Sequence, residues 1–356
     1  MIPKSICDRV ITIGPEFHPP KGGIAQVLHN YENYVFENLR FIPNSANGLF
    51  KNLLLLIWSI IQLSCILIVS RNKQIVHIHT ASGRSFQRSS IYVFITKILG
   101  HYPVMHIHAG GFKIYYDKGH RNFVSNVLKK CKSIIVLTNE WKNIFEQDLN
   151  LANIISINNL IPQPILQKSS FQDGKIHLVF FGDIIQRKGV FDIIEVIRSM
   201  NEVERSGIVF HVCGNGEVEK LSSLIKEYDL DDIVVYEGWV SGDKKQELLN
   251  KCDIMVQPSY LEALSLSVLE GMAYGLPIIA TNVGGIPSIV KDGQNGYLCN
   301  PGDIEEMKMR LEILLQNDDV RKKMGQSSQK IVLAYFPDQV SHDLEVFYKS
   351  ILSDKV

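Results

Sequence analysis

The chain has 356 residues, 46% hydrophobic and 21% charged, with 37 Lys/Arg against 37 Asp/Glu. This length accommodates two domains with a core each, and the ordinary composition excludes a disordered or fibrous chain. The charge is unevenly spread: residues 1–165 hold 17 basic and 8 acidic side chains, a net of +9, and residues 166–356 a net of −9. The N-terminal half is therefore expected to face an anionic partner, and no nucleic acid partner is expected.

The six cysteines, Cys7, Cys65, Cys131, Cys213, Cys252 and Cys299, show no paired spacing, which suits reduced thiols in a reducing cytosol. No long apolar stretch follows the charged start of MIPKSICDRVITIG, so no signal peptide is expected. Val10–Gly14 reads as a first strand. It runs into a loop, Pro15 to Ile24, whose Gly22-Gly23 pair opens a helix and lets backbone approach a ligand closely. Leu53–Val69 is the most apolar run in the chain, flanked by Lys51 and Arg71. Strands of one sheet are expected on either side of it, so it reads as a crossover helix packed on that sheet. A helix resting on anionic lipid is the second reading.

Ile75–His79 and Val104–Ile107 read as strands, each carrying an HxH pair, His77/His79 and His106/His108. Four imidazoles raise a metal site, but no nearby Asp, Glu or Cys joins them, and no metal is assigned. His108 stands apart because it lies at a strand end before Ala109-Gly110-Gly111, where open parallel sheets bind ligands. The alternative is a satisfied core imidazole. Arg84, Arg88, Lys113, Lys118, Arg121, Lys129, Lys130 and Lys132 make up much of the basic excess. A further strand follows at Ser133–Thr138, and a helix at Trp141–Leu149.

Periodicity is lost from Asn158 to Lys175, which reads as a linker. Ile176–Phe181 then opens a second βαβ series ending in Gly182, with Arg187 and Lys188 in the following turn. Cys213-Gly214-Asn215-Gly216 is another strand-to-turn element, weak by itself as a nucleotide signal. Asp253–Gln257 reads as a buried strand ended by Pro258. From Ser265, Leu266, Leu269, Met272 and Ala273 recur at helical spacing until Gly275-Leu276-Pro277. Glu262 thus lies in the loop before this helix and Glu270 about two turns inside it. A helix start after a parallel strand is an anion site. Carboxylates beside it suit the hydroxyls of a sugar and a ribose flanking a diphosphate. An ordinary surface Glu pair is the bland alternative.

The stretch Pro258–Thr281, continued by Asn282–Pro287 and Asp292–Leu298, resembles the E-x7-E region of the retaining glycosyltransferases of family 4, of the type that builds bacterial surface polysaccharides. The resemblance implies an α/β fold of two Rossmann-like domains facing each other across a cleft, the GT-B architecture. The domains would be residues 1–165 (acceptor), 166–335 (nucleotide-sugar donor) and a terminal helix, 336–356, returning to the first domain. It further implies that Glu262 lies beside the donor sugar, with His108 reaching the same sugar, and that Glu270 holds the ribose. Gly22, Gly23, Gly182, Lys188 and the amides of Ser265 and Leu266 would serve the donor, whose diphosphate is the leaving group. Two positions depart from the family: Ser265 stands where Gly is usual, and Asp183 where an Arg is usual, so that this contact is either lost or supplied by the neighbouring Arg187.

The implied activity is transfer of a sugar from a nucleotide diphosphate sugar, with retention and without a cofactor or required metal. The acceptor would be a saccharide on a polyprenyl diphosphate, met by a cytoplasmic enzyme held peripherally on an anionic membrane surface. Nothing in the sequence reads as a P-loop or a Ser-His-Asp order. A nucleotide-sugar 2-epimerase and a non-catalytic sugar-nucleotide-binding subunit are the other classes that fit.

Overall fold

The computed structural model describes residues 1–20, 22–46, 48–108 and 110–353. Lys21, Asn47, Ala109 and residues 354–356 lie outside that set. The chain separates into two compact units, residues 1–162 with 334–356, and residues 163–333.

The first unit is built on a six-stranded parallel sheet in the order β2-β1-β3-β4-β5-β6. Its strands are β1 (Val10–Pro15), β2 (Phe41–Ser45), β3 (Ile75–Thr80), β4 (Tyr102–Ile107), β5 (Ser133–Val136) and β6 (Ile154–Ser156). The runs of Val and Ile in β1, β3 and β5 are buried throughout, as a parallel sheet covered on both faces requires. Helices alternate with the strands. Gly23–Tyr34 follows β1, Leu49–Val69 connects β2 to β3, Arg84–Ile98 connects β3 to β4, and Arg121–Leu128 precedes β5. The helix Pro337–Ser353, from the end of the chain, belongs to the same unit, with Val340, Leu344, Tyr348 and Ile351 buried.

The crossover helix starts four residues earlier than its apolar run, at Leu49, after Gly48 in a positive-φ conformation (φ 101°). It does pack on the unit through Ser59, Leu63 and Leu67, yet most of its other apolar side chains remain exposed. β2 contains Pro43 and Asn44, residues that disfavour strands, and is held as an edge strand by β1 alone.

The second unit repeats the plan with six parallel strands in the order β12-β11-β10-β7-β8-β9. These are β7 (Ile176–Phe181), β8 (Ile208–Cys213), β9 (Val234–Gly238), β10 (Ile254–Gln257), β11 (Ile278–Thr281) and β12 (Gly296–Cys299). In both sheets the chain reverses its direction of travel once: between β1 and β3 in the first, and between β7 and β10 in the second. Neighbouring crossovers leave on opposite faces there, which opens a crevice at the carboxyl ends of the two strands. All six cysteines are free thiols.

Candidate active site

In the second unit the reversal point is lined by the loops after β7 and β10, and glycines let them close on each other. Gly189 (φ 69°) sits where a Cβ would overlap the Pro258 carbonyl oxygen, and Gly284 (φ 54°) where one would overlap that of Glu262. Gly214 makes a similar approach to the Gly182 carbonyl. The loops are pinned further by Tyr260 N–H donating to the Arg187 carbonyl (2.9 Å), and by the Arg187 guanidinium donating to the Leu261 carbonyl (3.3 Å).

This packing presents Glu262, 9% exposed, to Lys188. The Lys188 ammonium lies 2.5 Å from Glu262 Oε1, and Ser259 Oγ donates to the same oxygen at 3.0 Å. Gln257 Nε2 in turn donates to Ser259 Oγ at 3.0 Å. Oε2 of Glu262 has no partner among the described residues, so the carboxylate is held by one oxygen while the other can accept from a hydroxyl. The helix Leu266–Ala273 begins just beyond. Its N-cap is Ser265, whose Oγ accepts from Val268 N–H at 3.4 Å. Ser where the family usually has Gly therefore has a structural use here. The amides at this helix start, Leu266 among them, have no acceptor within the helix, as at any helix N-terminus.

Glu270 sits a little over one turn inside the helix, because the helix starts at Leu266 and rises 3.6 residues per turn, a correction to the two turns expected from the sequence. Its Oε2 lies 2.5 Å from the Lys245 ammonium, which also stands 5.1 Å from the Phe181 ring centroid. Gly182 follows β7 directly, and its N–H donates to the Cys213 carbonyl at 3.0 Å. Asp183 and Arg187 are exposed, Lys188 half-buried.

Residues 163–331 match the family of glycosyl transferases group 1. The match covers nearly the whole of the second unit. Curated relatives include an uncharacterized glycosyltransferase of Methanocaldococcus jannaschii, 26% identical over 211 residues, or 59% of this chain and 57% of the relative. The N-acetyl-alpha-D-glucosaminyl L-malate synthase of Bacillus anthracis is 29% identical over 180 residues, 50% of this chain and 46% of its own. The chain thus spans about half the length of the curated relatives it matches. Among solved structures, HepE of Anabaena in complex with UDP aligns with a TM-score of 0.78 at 16% identity, over 96% of this chain and 100% of that one. Sucrose-phosphate synthase from Thermosynechococcus elongatus gives 0.78 at 15% identity, over 98% and 100%. These likenesses establish the fold, two Rossmann-like domains of the GT-B type.

The first unit carries its own polar cluster at the carboxyl ends of β3 and β4. Gly22 (φ 90°) and Gly23 open the helix after β1, and a Cβ at either would meet open space. His108 follows β4, with its N–H on the Thr80 carbonyl at 2.9 Å. The four imidazoles pair edge to edge: His77 Nε2 with His106 Nδ1 at 3.1 Å, and His79 Nδ1 with His108 Nε2 at 2.9 Å. The rings of each pair are nearly parallel, at 6° and 14°, the geometry of an in-plane N–H···N hydrogen bond. Tyr348, from the terminal helix, closes one end at 2.7 Å from His77 Nδ1. Nitrogens of His77, His79 and His106 lie within 4.8 Å of one another, near enough for a metal ion. Within each hydrogen-bonded pair the accepting lone pair points at the neighbouring ring, while His79 Nε2 and His106 Nε2 have no partner among the described residues.

Burial drives the His77 and His108 pKa values down to about 3, and those of His79 and His106 well below the usual imidazole range. These rings are therefore neutral near pH 7, and His108 offers a hydrogen bond, not a positive charge. Its Nδ1 has no partner among the described residues.

His108, Gly22 and Gly23 thus lie in the first unit. Gly182, Arg187, Lys188, Glu262, Ser265, Leu266 and Glu270 lie in the second unit, where Lys188 meets Glu262 directly. Sequence reasoning missed Ser259 and Gln257, which orient Glu262, and also Lys245 and Tyr348. Lys245 stands in GDKKQELLNK, a pattern that reads as an ordinary solvated helix, and Tyr348 lies 271 residues from its histidine partner.

Proposed function

We propose that the chain is a retaining glycosyltransferase that moves a sugar from a nucleoside diphosphate sugar onto a saccharide carried by a polyprenyl diphosphate, in the cytoplasm, during surface-polysaccharide synthesis. The observation that carries this reading is the Lys188–Glu262–Ser259 cluster beside the Leu266 helix start, at the reversal point of the unit that matches the group 1 family. Lys188 and the first amides of that helix would hold the leaving diphosphate, where negative charge grows in the transition state. Glu262 would accept from a sugar hydroxyl through Oε2, and Glu270 from the ribose. His108, neutral, would donate or accept a hydrogen bond at the sugar. UDP and UDP-glucose are bound in Anabaena HepE structures, which makes uridine nucleotide sugars the first donors to test.

The test incubates the purified chain with a panel of nucleotide sugars, with and without polyprenyl-linked saccharide extracts. It follows released nucleoside diphosphate and assigns the product anomer by NMR. Transfer that depends on the lipid extract and retains configuration supports the reading. A 2-epimer formed without acceptor would establish the epimerase instead, and tight binding without turnover a binding subunit.

A further inference from the structure

The helix Leu49–Val69 has two apolar faces, and the unit covers one. On the covered face, Ser59, Leu63 and Leu67 are buried, and Ser59 Oγ lies 2.6 Å from the Tyr92 hydroxyl of the helix Arg84–Ile98. On the other, Leu53, Leu54, Ile57, Trp58, Ile61 and Ile68 recur at helical spacing and stand exposed, Trp58 at 63% and Ile68 at 69%. No charged residue interrupts the helix between Lys51 and Arg71. The neighbouring helix adds Ile91, Phe94 and Ile98, the last 81% exposed. An apolar surface of this extent marks a site of interaction.

Charge identifies the partner. Residues 41–137 carry twelve Lys/Arg and one acidic residue, Asp117. Arg71 and Lys73 follow the apolar helix, Lys97 lies in the last turn of the next helix, and Lys129 and Lys130 precede β5, so all gather at the amino-terminal edge of the sheet. Lys130 Nζ stands 5.7 Å from the centroid of the Phe94 ring, which ties the basic edge to the apolar face. Among the described residues, Arg71, Lys97, Lys129 and Lys130 form no ion pair. A second copy of this chain would bring like charges together, whereas anionic headgroups above acyl chains match both halves of the surface.

The helix has 21 residues, roughly 31 Å at 1.5 Å per residue and long enough to cross a bilayer. The topology forbids the crossing. β2 and β3, at its two ends, both pair with β1 in one sheet, so neither end can lie on the far side of a membrane.

We propose that the face formed by the Leu49–Val69 and Arg84–Ile98 helices docks flat on an anionic bilayer. Its apolar side chains enter the acyl boundary and the basic edge lies on the headgroups. This supplies the surface on which a lipid-linked acceptor would be met. It draws on the transferase reading only for that purpose.

The test floats the full chain, without nucleotide sugar, with vesicles of mixed phosphatidylglycerol and phosphatidylcholine or of phosphatidylcholine alone. The chain should float with the anionic vesicles, and Lys129→Gln with Lys130→Gln should weaken binding roughly thirtyfold. Ile57→Asp with Ile61→Asp should abolish flotation while circular dichroism and melting stay unchanged, because both side chains are exposed. Trp58 fluorescence should be quenched most by bromine at shallow acyl positions, a signal lost in Trp58→Phe. Several results would overturn the proposal: no flotation, flotation indifferent to the Asp pair, strongest quenching at the bilayer centre, or self-association in solution that the Asp pair dissolves. The assay omits the donor, so its failure leaves the transfer reaction standing, and failure of transfer leaves the lipid docking standing.

Discussion

Lowering the pH from 7.5 to 5 should destabilise the first unit through its buried imidazoles. A free imidazole titrates near 6.5, and those of His77 and His108 are held at about 3. Below pH 6.5 the unfolded chain therefore takes up protons that the native state refuses, and stability falls until the native values are reached. At pH 5 the loss is about 2 kcal/mol for each such histidine. It is thus about 4 kcal/mol from His77 and His108, and His79 and His106, held well below the usual imidazole range by burial, add to it in the same direction. That compares with roughly 5–15 kcal/mol of total stability in an ordinary domain. The groups packed on the ladder, Tyr31, Tyr348 and the neighbouring imidazoles, include no carboxylate among the described residues that could stabilise an imidazolium. The assay is urea denaturation at pH 7.5, 6 and 5, read by tryptophan fluorescence. The double variant His79→Asn, His108→Asn should lose a large part of the pH dependence. A urea midpoint constant from pH 7.5 to 5, or an unaltered slope in the double variant, would refute the argument.

Glu270→Ala should weaken donor binding by about 1.5–3 kcal/mol, since ribose hydroxyls lose an ionic acceptor; calorimetry giving unchanged affinity in the folded variant would remove Glu270 from the site. His108→Ala should lower turnover at least roughly tenfold, and it also strips His79 Nδ1 of its partner. A large drop in melting temperature with near-normal specific activity would make His108 a core residue alone. Arg187→Ala should raise the donor KM or depress kcat while Asp183→Arg is tolerated, and wild-type kinetics for Arg187→Ala would leave Lys188 as the sole cation. Gly189→Ala places a Cβ against the Pro258 carbonyl at φ 69°, and thermal unfolding should show a loss of about 1–3 kcal/mol.

What the sequence disclosed follows from how local each signal is. The strand ends, the loop bearing Glu262 and the helix bearing Glu270 are written in contiguous residues, so their patterns survive reading one dimension at a time. The strand Phe41–Ser45 was hidden because Pro43 and Asn44 oppose the conformation that pairing with β1 imposes. Lys245 could not be found either: its link to Glu270 bridges two helices that share no motif. The edge-to-edge histidines were visible only as two HxH pairs, because the β3–β4 register that sets His79 opposite His106 is a tertiary fact. The apolar helix was legible as apolar. Only packing could say that half of its surface is left uncovered.

The first unit is discontinuous along the chain, and this has a consequence for how the protein is made. Synthesis delivers β1 to β6 first, then the whole second unit, and last the helix Pro337–Ser353 that carries Tyr348. Until that helix emerges, His77 lacks its hydroxyl partner and the apolar row of Val340, Leu344 and Ile351 is missing from the unit it serves. The nascent first unit therefore stays incomplete while some 170 further residues are translated. A ribosome-bound intermediate of this kind would be the species most dependent on chaperones, or on early contact with a membrane, to stay productive.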